Sequence, residues 1–129
     1  MAFEFLRAEN NSAPIEKELP ATAAEGYAHG EAVSFSSGTL TKTSGNNKPE
    51  FIYVGKDITS AITGQIINVV PVLPEYEWET TLSTSGTSLV PGNKVTISTD
   101  GTKATATTNG VFELLTNGGA EGAKVVGRF

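Results

Sequence analysis

Cysteine is absent from the 129-residue chain, and histidine, tryptophan and methionine occur once each. Without cysteine there is no disulfide framework, no thiolate nucleophile and no cysteine-bound zinc or iron–sulfur centre, an inventory that suits a reducing compartment without requiring one. A single histidine, His29, makes no multi-histidine metal site, and the acidic residues lack the Asp/Asn spacing of a calcium loop. No metal and no cofactor is therefore expected. Basic residues are few and scattered, nine against fourteen acidic ones, for a net charge of -5 and a pI near 4.8. Nucleic acid and anionic membrane both reward clustered Lys and Arg, so neither is an expected partner. No run approaches the roughly 18 consecutive apolar residues of a membrane span. The start, Met1 to Arg7, lacks the basic opening and longer apolar core of a signal peptide, so the chain reads as soluble and unexported.

Catalytic motifs are missing as well. Nucleophilic catalysis needs a base within reach of a serine or threonine, and only His29, in a turn predicted between Gly26 and Gly30, could supply an imidazole. There is no Gly-x-Ser-x-Gly elbow, and the glycines sit singly at turns instead of forming a phosphate-binding loop. Glu75, Glu77 and Glu79 share one strand face about 7 Å apart, within the range of an inverting carboxylate pair, but same-face acids on a strand also describe a solvated outer face. A small hydrolase built on them stands as a remainder, and the chain is expected not to be an enzyme.

What is present is a pattern of short strands and turns. The chain carries 14 glycines and abundant threonine, and its length fits one domain that buries about two-thirds of its unfolded surface. Residues 1–14, with Asn10-Asn11-Ser12, read as an N-terminal arm, and 15–129 as a single β domain. In the arm Phe3 and Phe5 alternate with Glu4, so this segment adds to a neighbour's sheet edge or forms an ordinary first strand of its own domain. Strands are predicted at Ile15 to Leu19, Ala32 to Phe35, Thr39 to Lys42, Phe51 to Val54, Gln65 to Leu73, Glu75 to Leu82, Lys94 to Ile97, Lys103 to Thr107, Val111 to Leu115 and Ala123 to Phe129. Gln65 to Leu73 is the most apolar and is expected to be central with both faces covered. From Glu75 onward, strict alternation sends Tyr76, Trp78 and Thr80 to one face and the three glutamates to the other. Tyr76 and Trp78 make either core or a sugar-stacking platform. One helical turn is a candidate at Asp57 to Ala61, where Asp57 could cap it. Gly30 to Ser36 matches Gly92 to Ser98 in pattern, as a duplicated hairpin or as two hairpins obeying the same rules.

Across Leu19-Pro20, Gly26 to Val33, Val70-Pro71-Val72-Leu73-Pro74 into Glu77 to Thr81, Gly92 to Ile97, Gly110 to Leu114 and Gly127-Arg128-Phe129, the chain resembles the head decoration, or capsid cement, proteins of tailed bacteriophages. The resemblance implies a small β-barrel or β-tulip domain with an extended N-terminal arm. It implies a virion protein on the capsid exterior, made in the bacterial host cytoplasm, with the major capsid protein as partner and a homotrimeric state. No catalytic residues carry over. Phe3, Phe5 and Leu6 of the arm, with Glu75, Glu77 and Glu79 as an acidic stripe, are the expected capsid-binding residues. The alternative expectation is an Ig-like or carbohydrate-binding adhesion module that exposes Tyr76 and Trp78.

Overall fold

The computed structural model describes residues 2–9 and 13–129. Among them the elements are β1 (Glu4–Ala8), β2 (Lys17–Pro20), β3 (Ala32–Ser36), β4 (Thr39–Lys42), β5 (Phe51–Tyr53), β6 (Ile66–Pro71), β7 (Tyr76–Thr81), β8 (Lys94–Ile97), β9 (Ala104–Thr108), β10 (Phe112–Leu114) and β11 (Lys124–Arg128). The protein is all-β, with two antiparallel sheets ordered β1-β7-β11-β10-β8-β9 and β2-β6-β5-β3-β4.

Apart from β1, the two sheets are the same object written twice. Strands β2, β3, β4, β5 and β6 correspond in chain order and in sheet order to β7, β8, β9, β10 and β11. Registers correspond too: Val33 faces Phe51 as Val95 faces Phe112, and Leu19 faces Ile67 as Thr80 faces Val125. An isolated parallel bridge joins the first strand of each unit to its last, Ala21 to Leu40 and Leu82 to Ala104. Gly30 and Gly92 both take the left-handed backbone (φ 78° and 94°) where the chain turns into β3 and β8. Their N–H groups donate to Tyr53 and Leu114 carbonyls at 2.7 and 2.8 Å. The likeness of Gly30–Ser36 to Gly92–Ser98 is thus part of a five-stranded unit, not of a hairpin alone. Neither sheet closes into a barrel, since the first and last strands of each unit meet through that one bridge and not through a ladder.

The first unit is filled by Ala21, Tyr27, Val33, Leu40, Tyr53, Ala61, Ile67 and Val69. The second is filled by the corresponding Leu82, Leu89, Val95, Ala104, Leu114 and Val125, with Trp78 and Phe112. Ala32, Ile52 and Val70, which point out of the first unit, belong to this second cluster, so one apolar body unites the two units. The N-terminus fastens the seam. Phe3 is 1% exposed, donates its N–H to the Gly30 carbonyl of the first unit (3.0 Å), and packs its ring edge-on against Phe112 of the second (centroids 5.3 Å).

Three expectations are corrected. Residues 4–8 do not form a free arm; β1 pairs with β7 of the same chain, because its apolar alternation matches the half-covered face beside Trp78. The arm marker Asn10-Asn11-Ser12 lies outside the described residues. Asp57 to Ala61 forms no helical turn: β-branched Ile58 exchanges both backbone hydrogen bonds with Tyr27 at 2.8 Å, which a helical turn would forfeit, and the chain bends at Thr59 and Ser60. Along β6 both faces are covered only at Val69 and Val70, while Ile66 and Asn68 are exposed, because the second unit reaches over the β5 side and leaves the β2 side open.

Candidate functional site

The six residues expected at the partner surface divide sharply. Phe3 lies in the seam, out of reach of any partner. Phe5 is half-buried, with its ring edge against Tyr76 (5.0 Å) and Trp78 (5.7 Å), where it closes the open side of the second unit. Leu6 alone of the three is exposed. Glu75, Glu77 and Glu79 are half-buried, and they do not form a free acidic stripe. Glu77 accepts from Arg7 Nε on β1 at 2.9 Å. Glu79 faces Glu4 across the strand pair, and the Glu75 carbonyl accepts from the Glu9 N–H. Close by, Arg128 donates to both Glu113 and Glu9 at 3.0 Å. The acidic face is thus partly neutralised by the protein's own arginines, a pairing across distant strands that alternation along one strand does not reveal.

Trp78 and Tyr76 are 0% and 1% exposed, so these two rings form no solvent-facing sugar platform. The alternation that put them on one face was correct, and that face is core. His29 sits half-exposed at the loop before β3. Its Nδ1 faces the Gly55 carbonyl (3.0 Å) and its Nε2 the Glu4 carboxylate (3.1 Å). Burial would lower its pKa, but two acceptors at its two nitrogens outweigh that and raise it. The ring ties β1 to the first unit.

A second region was not anticipated from the sequence. The loop before β3, the end of β4, the loop after β5 and the β8–β9 turn of the second unit enclose an open cavity of about 660 Å³. Four carboxylates line it, Glu25, Glu31, Asp57 and Asp100, with Lys42 as the one basic side chain. Each carboxylate is fixed by donors, Asp100 and Glu31 within their own turns and Glu25 and Asp57 by segments distant in the chain. Glu25 accepts from Thr41 Oγ1 (2.7 Å) and the Lys42 N–H (3.1 Å), clasping the edge of β4. Asp57 Oδ1 accepts the His29 N–H at 2.8 Å. Asp100 Oδ1 gathers Ser98 Oγ, Thr102 N–H and Thr102 Oγ1 at 2.6, 3.1 and 2.8 Å. Burial would raise the Asp100 pKa, yet these donors outweigh it and hold the carboxyl below its ordinary value.

Glu31 is different. It is 3% exposed; Oε1 accepts the Ala28 N–H at 3.3 Å, and Oε2 is buried with no hydrogen-bond partner. Burial raises its pKa to about 7; the Ala28 N–H and Lys42 oppose this, and the charges of Glu25 and Asp100 reinforce it. The corresponding residue of the second unit is Asn93, whose Oδ1 accepts the Val90 N–H at 2.9 Å in the same turn. The sequence signal was available, since the aligned Gly30-Glu31 and Gly92-Asn93 differ here in charge, but burial and the approach of the β8–β9 turn were not. Among the described residues no group of three or more Asp, Glu, His or Cys side chains is disposed to hold a metal ion.

No protein-family model matches the chain, and a search of curated proteins finds no match to it.

Proposed function

We propose that this chain is a structural virion protein that binds the outside of a tailed-phage capsid and stabilises the lattice of the major capsid protein. The sequence resemblance to capsid decoration proteins motivates the reading. The observation that carries it is the tandem body: two like five-stranded units share one apolar cluster, and Phe3 packs in their seam. A clamp between capsomers must resist deformation, and it works by shape and many-copy binding more than by chemistry. In this reading the protein acts as a homotrimer, the two sheets serve as a barrel- or tulip-like core, and binding uses the exposed side of β1 at Leu6 with Glu79 and Glu75. Phe3 and Phe5 hold that strand in place from beneath.

The test is to add the purified protein to phage-type shells stripped of decoration and follow co-sedimentation and shell melting. Saturable binding with a raised shell melting temperature is the expected result, weakened by Leu6→Asp with the domain still folded. Failure to sediment with any such shell at tens-of-micromolar concentration, a range in which a multivalent lattice would capture even weak binders, would sink the reading.

A further inference from the structure

The acidic cavity contains a feature that the fold does not require. In both units the turn before the second strand (β3 and β8) is held by a side-chain oxygen that accepts the N–H of the residue three earlier, Glu31 from Ala28 and Asn93 from Val90. A neutral amide does this in the second unit, so the charge of Glu31 and its second oxygen are surplus to the turn. That oxygen is nonetheless buried without a partner, on a wall shared with three more carboxylates. An orphaned buried carboxylate oxygen is costly unless something else satisfies it.

We infer that this cavity receives a guanidinium group, presented as an arginine side chain by a protein partner. A single metal ion fits poorly, because no three of the ligand-type side chains among the described residues come together as a coordination shell. The acceptors are instead spread around an opening of about 660 Å³. They comprise Glu31 Oε2, the Asp100 oxygen opposite the one that gathers three donors, and the Asp57 carboxylate. A planar fork with five N–H donors spans separated acceptors more widely than the three donors of a compact ammonium. The Tyr27 ring also lines the cavity, supplying an aromatic surface that guanidinium groups favour. Lys42, at the same opening, is a built-in competitor that an incoming arginine displaces from the carboxylates' field. The cavity's chemistry does not depend on whether the partner is a capsid.

The test is a titration of the full chain with Nα-acetyl-arginine amide, followed by the amide NMR signals of Ala28 and Thr102. Acetyl-lysine amide, calcium chloride and free arginine are titrated in parallel. Saturable shifts at both amides with the arginine probe are expected. Glu31→Gln, which keeps the turn acceptor as Asn93 does, should weaken binding about tenfold or more, the loss of one charge-assisted hydrogen bond. Glu121→Gln, an exposed acid away from the cavity, should leave binding unchanged. The inference is overturned if no shift occurs, if both variants weaken binding alike, or if calcium or the lysine probe moves the same amides as strongly. Tighter binding of free arginine than of the capped form would replace the protein partner with a small-molecule ligand and overturn that part.

Discussion

The two five-stranded units follow one topology and, apart from a bulge between β8 and β9, one register, yet they are finished in opposite ways. In the second unit β1 covers the open edge of β7, and the position beneath it holds Trp78, fully buried under Phe5. In the first unit no strand among the described residues covers the corresponding edge of β2. The residue at Trp78's place is Lys17, flanked by Glu16 and Glu18 and followed by Pro20, and Ile15 is 54% exposed. A charged, proline-ended edge resists pairing with other chains, whereas an aromatic one needs a strand laid over it. The comparison teaches that the backbone frame tolerates two core chemistries, provided each edge is either covered or charged.

The largest expected effect breaks this comparison at a matched pair of identical residues that differ in burial. Phe51 and Phe112 occupy equivalent positions, opposite Val33 and Val95, but Phe112 is fully buried beside Phe3 and Phe129 while Phe51 is half-buried against Phe35. Phe112→Ala should cost about 3–5 kcal/mol, and Phe51→Ala about half of that or less. Urea denaturation of the two variants reads the difference directly. Equal losses would mean that burial in this fold does not track the energetics of the seam.

Next in size is a pH effect confined to the first unit. Glu31 has its pKa raised to about 7 by burial, against an ordinary 4.5, so the folded state holds a proton that the unfolded chain releases between those values. Stability from this group is full below pH 4.5 and is lost as pH rises through 7, with a ceiling of about 3 kcal/mol. Glu31→Gln should flatten that slope and be more stable than the parent at pH 8. Asn93→Asp, at the matched and less buried position, should introduce a much smaller slope. Denaturation curves at pH 4.5 and 8 check both, and an unchanged slope in Glu31→Gln would show that Glu31 is not the group responsible.

Trp78 gives a spectroscopic measure of how firmly β1 covers its unit. Its emission should be blue-shifted and poorly quenched by acrylamide. Phe5→Ala, by removing the ring packed 5.7 Å from it, should raise the quenching constant about twofold and cost roughly 1–3 kcal/mol. An indole that is already red-shifted in the parent would contradict a covered edge.

Strand positions were largely legible in the sequence, because alternation and glycine turns are local signals. Tyr76, Trp78 and Thr80 fall on the buried face as their spacing implies, and the turns at Ser37-Gly38 and Asp100-Gly101 lie where expected. What alternation could not supply is which strands meet. Pairing of β1 with β7, the burial of Phe3 between units, and the neutralisation of Glu77 by Arg7 all join residues about 70 or more positions apart in the chain or across a seam, where entropy of closure and not local pattern decides. The repeat was visible only in its best-conserved stretch, Gly30–Ser36 against Gly92–Ser98, since elsewhere equivalent positions exchange Lys17 for Trp78 or Val69 for Gly127. The last exchange is explained by space: a Cβ on Gly127 would lie 2.5 Å from the Glu113 carbonyl oxygen and 2.7 Å from the Phe112 ring, so the close approach of β10 leaves room only for glycine.

The smallest expected effect probes the link between β1 and the uncovered unit. His29 reaches Glu4 at 3.1 Å, and its raised pKa means that the folded state favours the protonated ring. The pair therefore contributes stability below pH 6.5, and this is lost as pH rises through the folded-state value. Both partners are well exposed, so solvent screening limits the gain to roughly a few tenths of a kcal/mol. A double-mutant cycle of His29→Gln and Glu4→Gln, made in the Glu31→Gln background to remove the larger titration, should show that coupling at pH 5.5 and nearly none at pH 8. Coupling that persists unchanged at pH 8 would mean that the two side chains interact through the packing of β1 on the loop before β3. Coupling that vanishes with pH identifies the imidazolium–carboxylate pair as the fastening, in the first unit, of a strand that belongs to the second.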